Sequence, residues 1–170
     1  MSLKEALIER LGEAAVQTGQ ATRELASRDR SGLAPSAPDM VVRPSLVEDV
    51  IFVVDRCRHF KAPLTPRGRG QGEAGGAIPM RGGVVLDMAA LDTIVSIDPV
   101  SRIAVVEAGV TLDAVNTAAG EHGLMLPLGP ATSTVGGVVA RRGGDRYLPG
   151  YGGARRWVRS MTAVMGTGDI

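Results

Sequence analysis

Near the start of the chain the apolar positions Leu3, Leu7, Leu11 and Ala14 recur at helical spacing, and Ser2 is followed three residues later by Glu5, the signature of a capping box. The pattern predicts an amphipathic first helix that docks one face on a neighbour. From Ser27 to Pro38 the composition turns to Ser, Gly, Pro and charge, which reads as a connector. "MVVRP" then reads as a short strand stopped by Pro44, and Ser45 as the cap of a helix from Leu46 to Phe60 with Val47, Val50, Ile51 and Val54 inward. A second short strand is expected over Pro63 to Thr65, then a glycine-rich turn, then a third strand at "GGVVLDM". Strand, helix, strand, turn and strand in that order make a small α/β lobe with a parallel βαβ unit.

Further along, the period changes. "LDTIVSIDPVSRIAVVEAGV" alternates apolar and polar residues on both sides of Asp98-Pro99, so a hairpin is expected with Ile94, Ile97, Ile103, Val105 and Val106 buried. Thr111 caps a predicted helix from Leu112 to Glu121, with Gly123 just past its end. From Leu126 the text is glycine-rich and irregular apart from "TVGGVVA", and "RRWVRSMTAVMGTGDI" carries strand-like content.

Composition narrows the field. A chain of 170 residues that is 44% hydrophobic buries one real core, and a net charge of +1 with 3% aromatic content argues against coating nucleic acid. Arg141, Arg142, Arg146, Arg155, Arg156 and Arg159, interleaved with Tyr147, Tyr151 and Trp157, form a local basic cluster that reads as a solvated or partner-covered face. Cys57 stands alone, so an internal disulfide and a multi-cysteine metal site are excluded. The charged start has no signal-peptide core, and no apolar run is long enough to span a bilayer, so a cytoplasmic location without a transmembrane segment is expected.

The candidate chemistry lies in two glycine-rich stretches. "PRGRGQGEAGG", Pro66 to Gly76, follows a predicted strand and allows backbone N–H groups to approach a ligand with no Cβ in the way. It contains Gly70-x-Gly72-x-x-Gly75, but Pro79 and Arg81-Gly82-Gly83 follow too soon for the helix that a Rossmann fingerprint must open, so that reading is rejected. "GPATSTVGGVVA", Gly129 to Ala140, again sets hydroxyls and paired glycines before an apolar run. Two such loops suit one extended ligand carrying two phosphates.

At these residues, from about Asp39 to Ile170, the chain resembles the FAD-binding domain of the vanillyl-alcohol oxidase and p-cresol methylhydroxylase superfamily, within it the glycolate oxidase subunit and D-lactate dehydrogenase type. The resemblance implies an α+β, two-lobed FAD-binding domain: a small parallel lobe and a larger mixed sheet with helices, incomplete at the C-terminus, the cofactor stretched between them. Residues 1–38 would be an N-terminal helix and connector, and residues 39–170 the FAD-binding part without the family's separate cap domain. Arg67, Gly68, Arg69, Gly70, Gln71 and Gly72 would form the pyrophosphate loop, with Arg67 or Arg69 either adding charge or lying on a solvated rim. Thr132, Ser133, Thr134, Val135, Gly136 and Gly137 would supply a second wall near the phosphates and the flavin.

Gln71 stands where relatives that bind FAD covalently have a histidine, which implies non-covalent FAD. Arg69 replaces a frequent glycine, Glu73 a frequent apolar residue, and Arg141-Arg142-Gly143-Gly144 the frequent "TNAGG". The implied activity is oxidation of a small 2-hydroxy acid or alcohol by hydride transfer to flavin N5. The alternative is a truncated, non-catalytic module that binds a partner. No catalytic residue is assigned: the resemblance places much of the substrate pocket in strands and a cap domain beyond this sequence, and His59 and His122 both read as helix-terminal surface residues. A second chain that completes the fold, and an unpaired sheet edge that promotes association, are further expectations.

Overall fold

A computed structural model of the chain describes residues 1–141 and 147–170. It divides into two compact units, residues 1–90 with 162–170, and residues 91–161. In the first unit, helix α1 (Leu3–Leu11) starts with the expected capping box, the Ser2 hydroxyl accepting from the Glu5 amide and the Glu5 carboxylate from the Ser2 amide. It buries Ala6 and Leu7 against helix α3 (Val47–His59). Ala14 does not extend the apolar stripe: Gly12, at φ 85°, ends the helix, and Ala14 falls exposed in a short 3₁₀ turn.

Strand β1 (Val16–Gln17) and helix α2 (Gln20–Ala26) follow, both absent from the sequence pattern. They are short, and α2 has no side-chain cap, so little local signal marks them. Strands β2 (Met40–Val42), β3 (Leu64–Arg67) and β4 (Val84–Asp87) realise the predicted βαβ lobe. The sheet order is β1-β2-β4-β3, with β2, β4 and β3 parallel and β1 antiparallel at the edge. β4 is buried along its whole length, as a central parallel strand covered on both faces must be.

Two details of α3 differ from expectation. Its N-cap is Leu46 with no side-chain bond, so Ser45 lies one residue too early to cap it. Its buried stripe is Val50, Val53, Val54 and Cys57, while Val47 is exposed and Ile51 half-buried, a shift of the contact line that the chain's own period could not distinguish. Burial raises the Cys57 thiol to about 11. Native protein at pH 7 is therefore expected to resist a thiol-disulfide reagent and react fully once unfolded in urea; rapid native labelling would contradict this packing.

The second unit opens with strands β5 (Ile94–Asp98) and β6 (Ile103–Val106), the predicted antiparallel hairpin with its turn at Asp98 to Arg102. The sheet expected to be the larger has two strands among the described residues, and the mixed four-stranded sheet lies in the first unit. None of the five hairpin residues expected to be buried is fully so: Ile103 and Val105 are exposed, Ile94, Ile97 and Val106 half-buried. A two-stranded ribbon has too little surface to cover its own apolar positions. Helix α4 (Leu112–Gly120) is capped by the Thr111 hydroxyl and ends ahead of Gly123 at φ 68°. Helix α5 (Val135–Arg141) forms over the apolar run "TVGGVVA", to which the sequence pattern assigns no element, and Val138 packs there with Leu112, Leu128 and Ala154. Helix α6 (Leu148–Tyr151) and a 3₁₀ turn at Ala154–Arg156 follow.

No strand forms between Arg155 and Ile170, although the sequence suggested one, and Trp157, Met161, Met165 and Ile170 are exposed. Among the described residues no helix is long and apolar enough to cross a membrane.

Candidate functional site

Parallel strands place loops at their carboxyl ends, and the glycine-rich stretch leaves the end of β3 at such a position. No helix forms between Gly68 and Gly83, in keeping with the rejection of a Rossmann turn. Among the described residues, none of the five consecutive amides from Gly68 to Gly72 donates to a protein acceptor. A run of bare backbone with its N–H groups unspent is the chemistry of an anion cradle.

Arg67 does not point into that cradle. Its Nη1 donates to the carbonyls of Ala77 at 3.2 Å and Ala26 at 3.5 Å, and its Nη2 to that of Leu25 at 3.2 Å. The guanidinium thus ties the end of α2 to the far side of the loop. Burial lowers its affinity for the proton, while Asp87 and Asp29 act in the opposite sense. Gly70 sits over it at φ 64°, buried, and a Cβ there would lie 2.5 Å from Arg67 Cζ. Of the two arginines weighed as charge donors, only Arg69 is exposed. The Gln71 side chain spans the loop surface, its Nε2 donating to the Arg69 carbonyl and its Oε1 accepting from Arg30 Nη1, both at 3.4 Å. Glu73 is exposed, so its carboxylate is solvated.

At the carboxyl ends of β2 and β4, Arg43 Nε and Nη2 both donate to Asp87 Oδ2, at 2.9 and 2.6 Å, and Asp87 Oδ1 accepts from the Ala89 amide. Sequence reasoning missed this pair; Arg43 and Asp87 are 44 positions apart and become neighbours only through the parallel pairing of Val42 with Leu86.

The second glycine stretch is built differently. The Gly129–Pro130 peptide is cis, Thr132 is exposed, and Ser133 and Thr134 are buried. Within this unit the Ser133 carbonyl accepts from the Leu112 amide at 2.9 Å, and Thr134 bridges to Thr111. The amides of Val135 and Gly136 donate to Val110 and Ala108, and that of Gly137 to the Thr134 hydroxyl. The Ser133 amide donates to the Pro130 carbonyl at 2.9 Å, so four of the six proposed amides are already used, two of them, Val135 and Gly136, in holding α5 to the chain before α4. Gly136 is pressed against Ala108, whose Cβ and carbonyl oxygen would lie 2.9 and 3.0 Å from an added methyl.

Of the basic cluster, Arg155, Arg156 and Arg159 are exposed, and Arg141 Nη2 donates to the Gly129 carbonyl. Arg142, Gly143, Gly144, Asp145 and Arg146 lie outside the described residues. Tyr147 and Tyr151 meet edge to face, and Gly152 closes α6. His59 packs edge-on against Phe60 and His122 is exposed beyond α4; neither is at a glycine loop.

A family model described as an FAD binding domain matches residues 38–170. The chain belongs to the FAD binding domain family. Curated relatives of this FAD binding domain include a D-lactate dehydrogenase of Anaerostipes hadrus, 35% identical over 78% of the chain and 28% of the relative. The glycolate oxidase subunit of Bacillus subtilis is 32% identical over 99% of the chain and 36% of the relative. The chain thus spans about a third of the length of these relatives. Among solved structures, p-cresol methylhydroxylase with substrate bound superposes with a TM-score of 0.74 at 28% identity, over 83% of the chain and 29% of that protein. The resemblance read from the residues is confirmed, and the unspent amides at Gly68 to Gly72 fit an anionic cofactor such as FAD.

Proposed function

We propose that this chain is the cofactor-holding part of an FAD-dependent oxidoreductase that acts on a small 2-hydroxy acid or alcohol. The observation that carries the reading is the run of unspent amides from Gly68 to Gly72 in a loop that leaves a parallel strand. FAD brings a linked diphosphate, and a run of five unspent N–H groups can offer it hydrogen bonds without a fixed charge. Gly68, Arg69, Gly70, Gln71 and Gly72 contribute those amides, while Arg67 shapes the loop from beneath. In the second stretch the Thr132, Ser133 and Thr134 segment remains the candidate contact; Val135, Gly136 and Gly137 position it through the bonds their amides already make.

Bound FAD supplies a two-electron acceptor for a hydride. The chain's own part is to bind and orient it. Substrate class follows the printed names of the relatives, a D-lactate dehydrogenase and a glycolate oxidase subunit, both oxidising 2-hydroxy acids. Residues 1–38 are proposed as a supporting segment and 39–170 as the FAD-binding part.

Titration with FAD, followed by flavin fluorescence and competed with ADP, tests the reading. Saturable binding that ADP displaces supports a diphosphate cradle; a protein that stays colourless and shows no binding favours the non-catalytic module. Because Gln71 carries an amide where a covalent link would need an imidazole, acid precipitation is expected to leave all the flavin in the supernatant. Flavin that stays with the pellet would show a covalent bond. Turnover with D-lactate or glycolate and an artificial electron acceptor, in the protein that carries this chain, tests the substrate class.

A further inference from the structure

We infer that the segment Ser27–Ser36, which lies outside the region matching the FAD binding domain family, is a clasp that pre-organises the glycine cradle, with Arg30, Leu33 and Arg67 as positioning residues for the diphosphate. The inference rests on the reading of that cradle as a diphosphate site. In sequence the segment looks like a plain connector. In the fold it runs along the loop and holds it at successive points.

The Arg30 amide donates to the Gly72 carbonyl at 2.8 Å, which fixes one end of the run of unspent amides. Beyond it, Leu33 lies so close to Gly75 that a methyl there would sit 2.5 Å from its Cδ1. The Ser36 hydroxyl donates to the Pro79 carbonyl at 2.8 Å, and the Ser36 amide to the Ser27 carbonyl at 2.9 Å, closing the segment on itself. From below, Arg67 reaches the carbonyls of Leu25, Ala26 and Ala77, so the chain before the segment and the loop's return share one guanidinium.

Asp29 completes the arrangement. Its Oδ1 accepts from the Ser31 amide at 2.9 Å, and its enclosed Oδ2 lies 3.5 Å from where a Cβ on Gly72 would be. Burial opposes its charge, but the Ser31 hydroxyl and amide, and the neighbouring Ala77 and Gly75 backbone, more than offset this and keep the carboxyl below its usual range. Arg67 is its nearby counter-charge. Asp29 thus joins the segment to the loop and to Arg67, and a glycine loop held in one conformation binds its anion without first losing conformational freedom.

The test compares Arg30→Pro, which deletes the amide to Gly72, Leu33→Ala, which removes the packing on Gly75 from an exposed position, and Arg67→Lys, which keeps the charge but replaces the two-nitrogen fork that reaches Leu25 on one side and Ala26 and Ala77 on the other with a single nitrogen. Each is expected to weaken FAD and ADP by the same factor, at least about tenfold for Arg30→Pro and Arg67→Lys, because the competent fraction of the loop falls. Tryptic cleavage after the exposed Arg69 should speed up in ligand-free variants. Leu33→Ala, the mildest change to the fold, keeps the test informative if another variant fails to fold. Variants that bind like the parent and are cut no faster overturn the clasp. A parent that binds neither FAD nor ADP overturns the diphosphate reading, and with it the positioning role, while faster cleavage in the variants would still show that the segment holds the loop.

Discussion

Gly70→Ala is expected to weaken FAD binding on the order of a hundredfold, which corresponds to about 2.7 kcal/mol. The left-handed backbone at φ 64° costs an alanine about 1–2 kcal/mol. The new methyl would also meet Arg67 Cζ at 2.5 Å, so either the loop leaves its conformation or the guanidinium gives up the carbonyls of Leu25, Ala26 and Ala77. Both routes disturb the run of unspent amides proposed to hold the diphosphate. Global stability should change less, because the loop lies outside the sheet. Flavin fluorescence titration reads the affinity and a urea melt reads the fold. An alanine variant that binds FAD as tightly as the parent would remove this loop from the site.

The second large effect is on folding. Gly83→Ala should destabilise the protein by about 3 kcal/mol or more, from left-handed strain together with backbone collision. Gly83 has φ 74°, and an added Cβ would lie 3.0 Å from both the carbonyl carbon and the Cβ of Pro63, with the Pro63 oxygen closer still. The residue stands where three strands begin. Its carbonyl accepts from the Asp39 and Met40 amides, its own amide donates to Asp39 Oδ2 at 3.0 Å, and the next amide, Val84, donates to that same Pro63 carbonyl at 2.8 Å. Relief of the collision must therefore slide β3 or β2 against the buried β4. Urea unfolding should show a lower midpoint with an unchanged slope. A midpoint within a few tenths of a molar of the parent would mean that the sheet yields here without loss.

Side by side, these substitutions separate the two uses of glycine in this chain. At Gly83 the missing side chain lets two backbones meet inside a sheet. At Gly70 it lets a guanidinium pass beneath a loop whose amides make no bond to the protein.

Local pattern carried much of the first unit. The capping box at Ser2 and Glu5, the strand stopped by Pro44, the helix before Phe60 and the parallel strands around the glycine turn are all written in short-range chemistry: a hydroxyl three residues before a carboxylate, a fixed proline φ, a run of β-branched residues. The hairpin at Asp98-Pro99 and the Thr111 cap were legible for the same reason. Elements of a few residues with no cap, such as β1 and α2, were not, since what stabilises them is the neighbour they pack on. Helix α5 was hidden by its paired glycines, which are poor helix formers held in place by Ala108 and Val110. The strand suggested near the end of the chain shows the converse, apolar residues that form no strand and stay exposed.

The order of residues thus carried a resemblance to an FAD-binding family, which the family match bears out, and it marked the glycine-rich stretch after a strand that is proposed to hold the cofactor. Which way Arg67 turns was decided only by the tertiary structure. Its partners, the carbonyls of Leu25, Ala26 and Ala77, have no side-chain identity, so no pattern of residue types announces them. The same holds for the Ser27–Ser36 segment, whose grip on the loop runs through the Arg30 amide to the Gly72 carbonyl, a bond that any two residues could make once the fold brings them 2.8 Å apart.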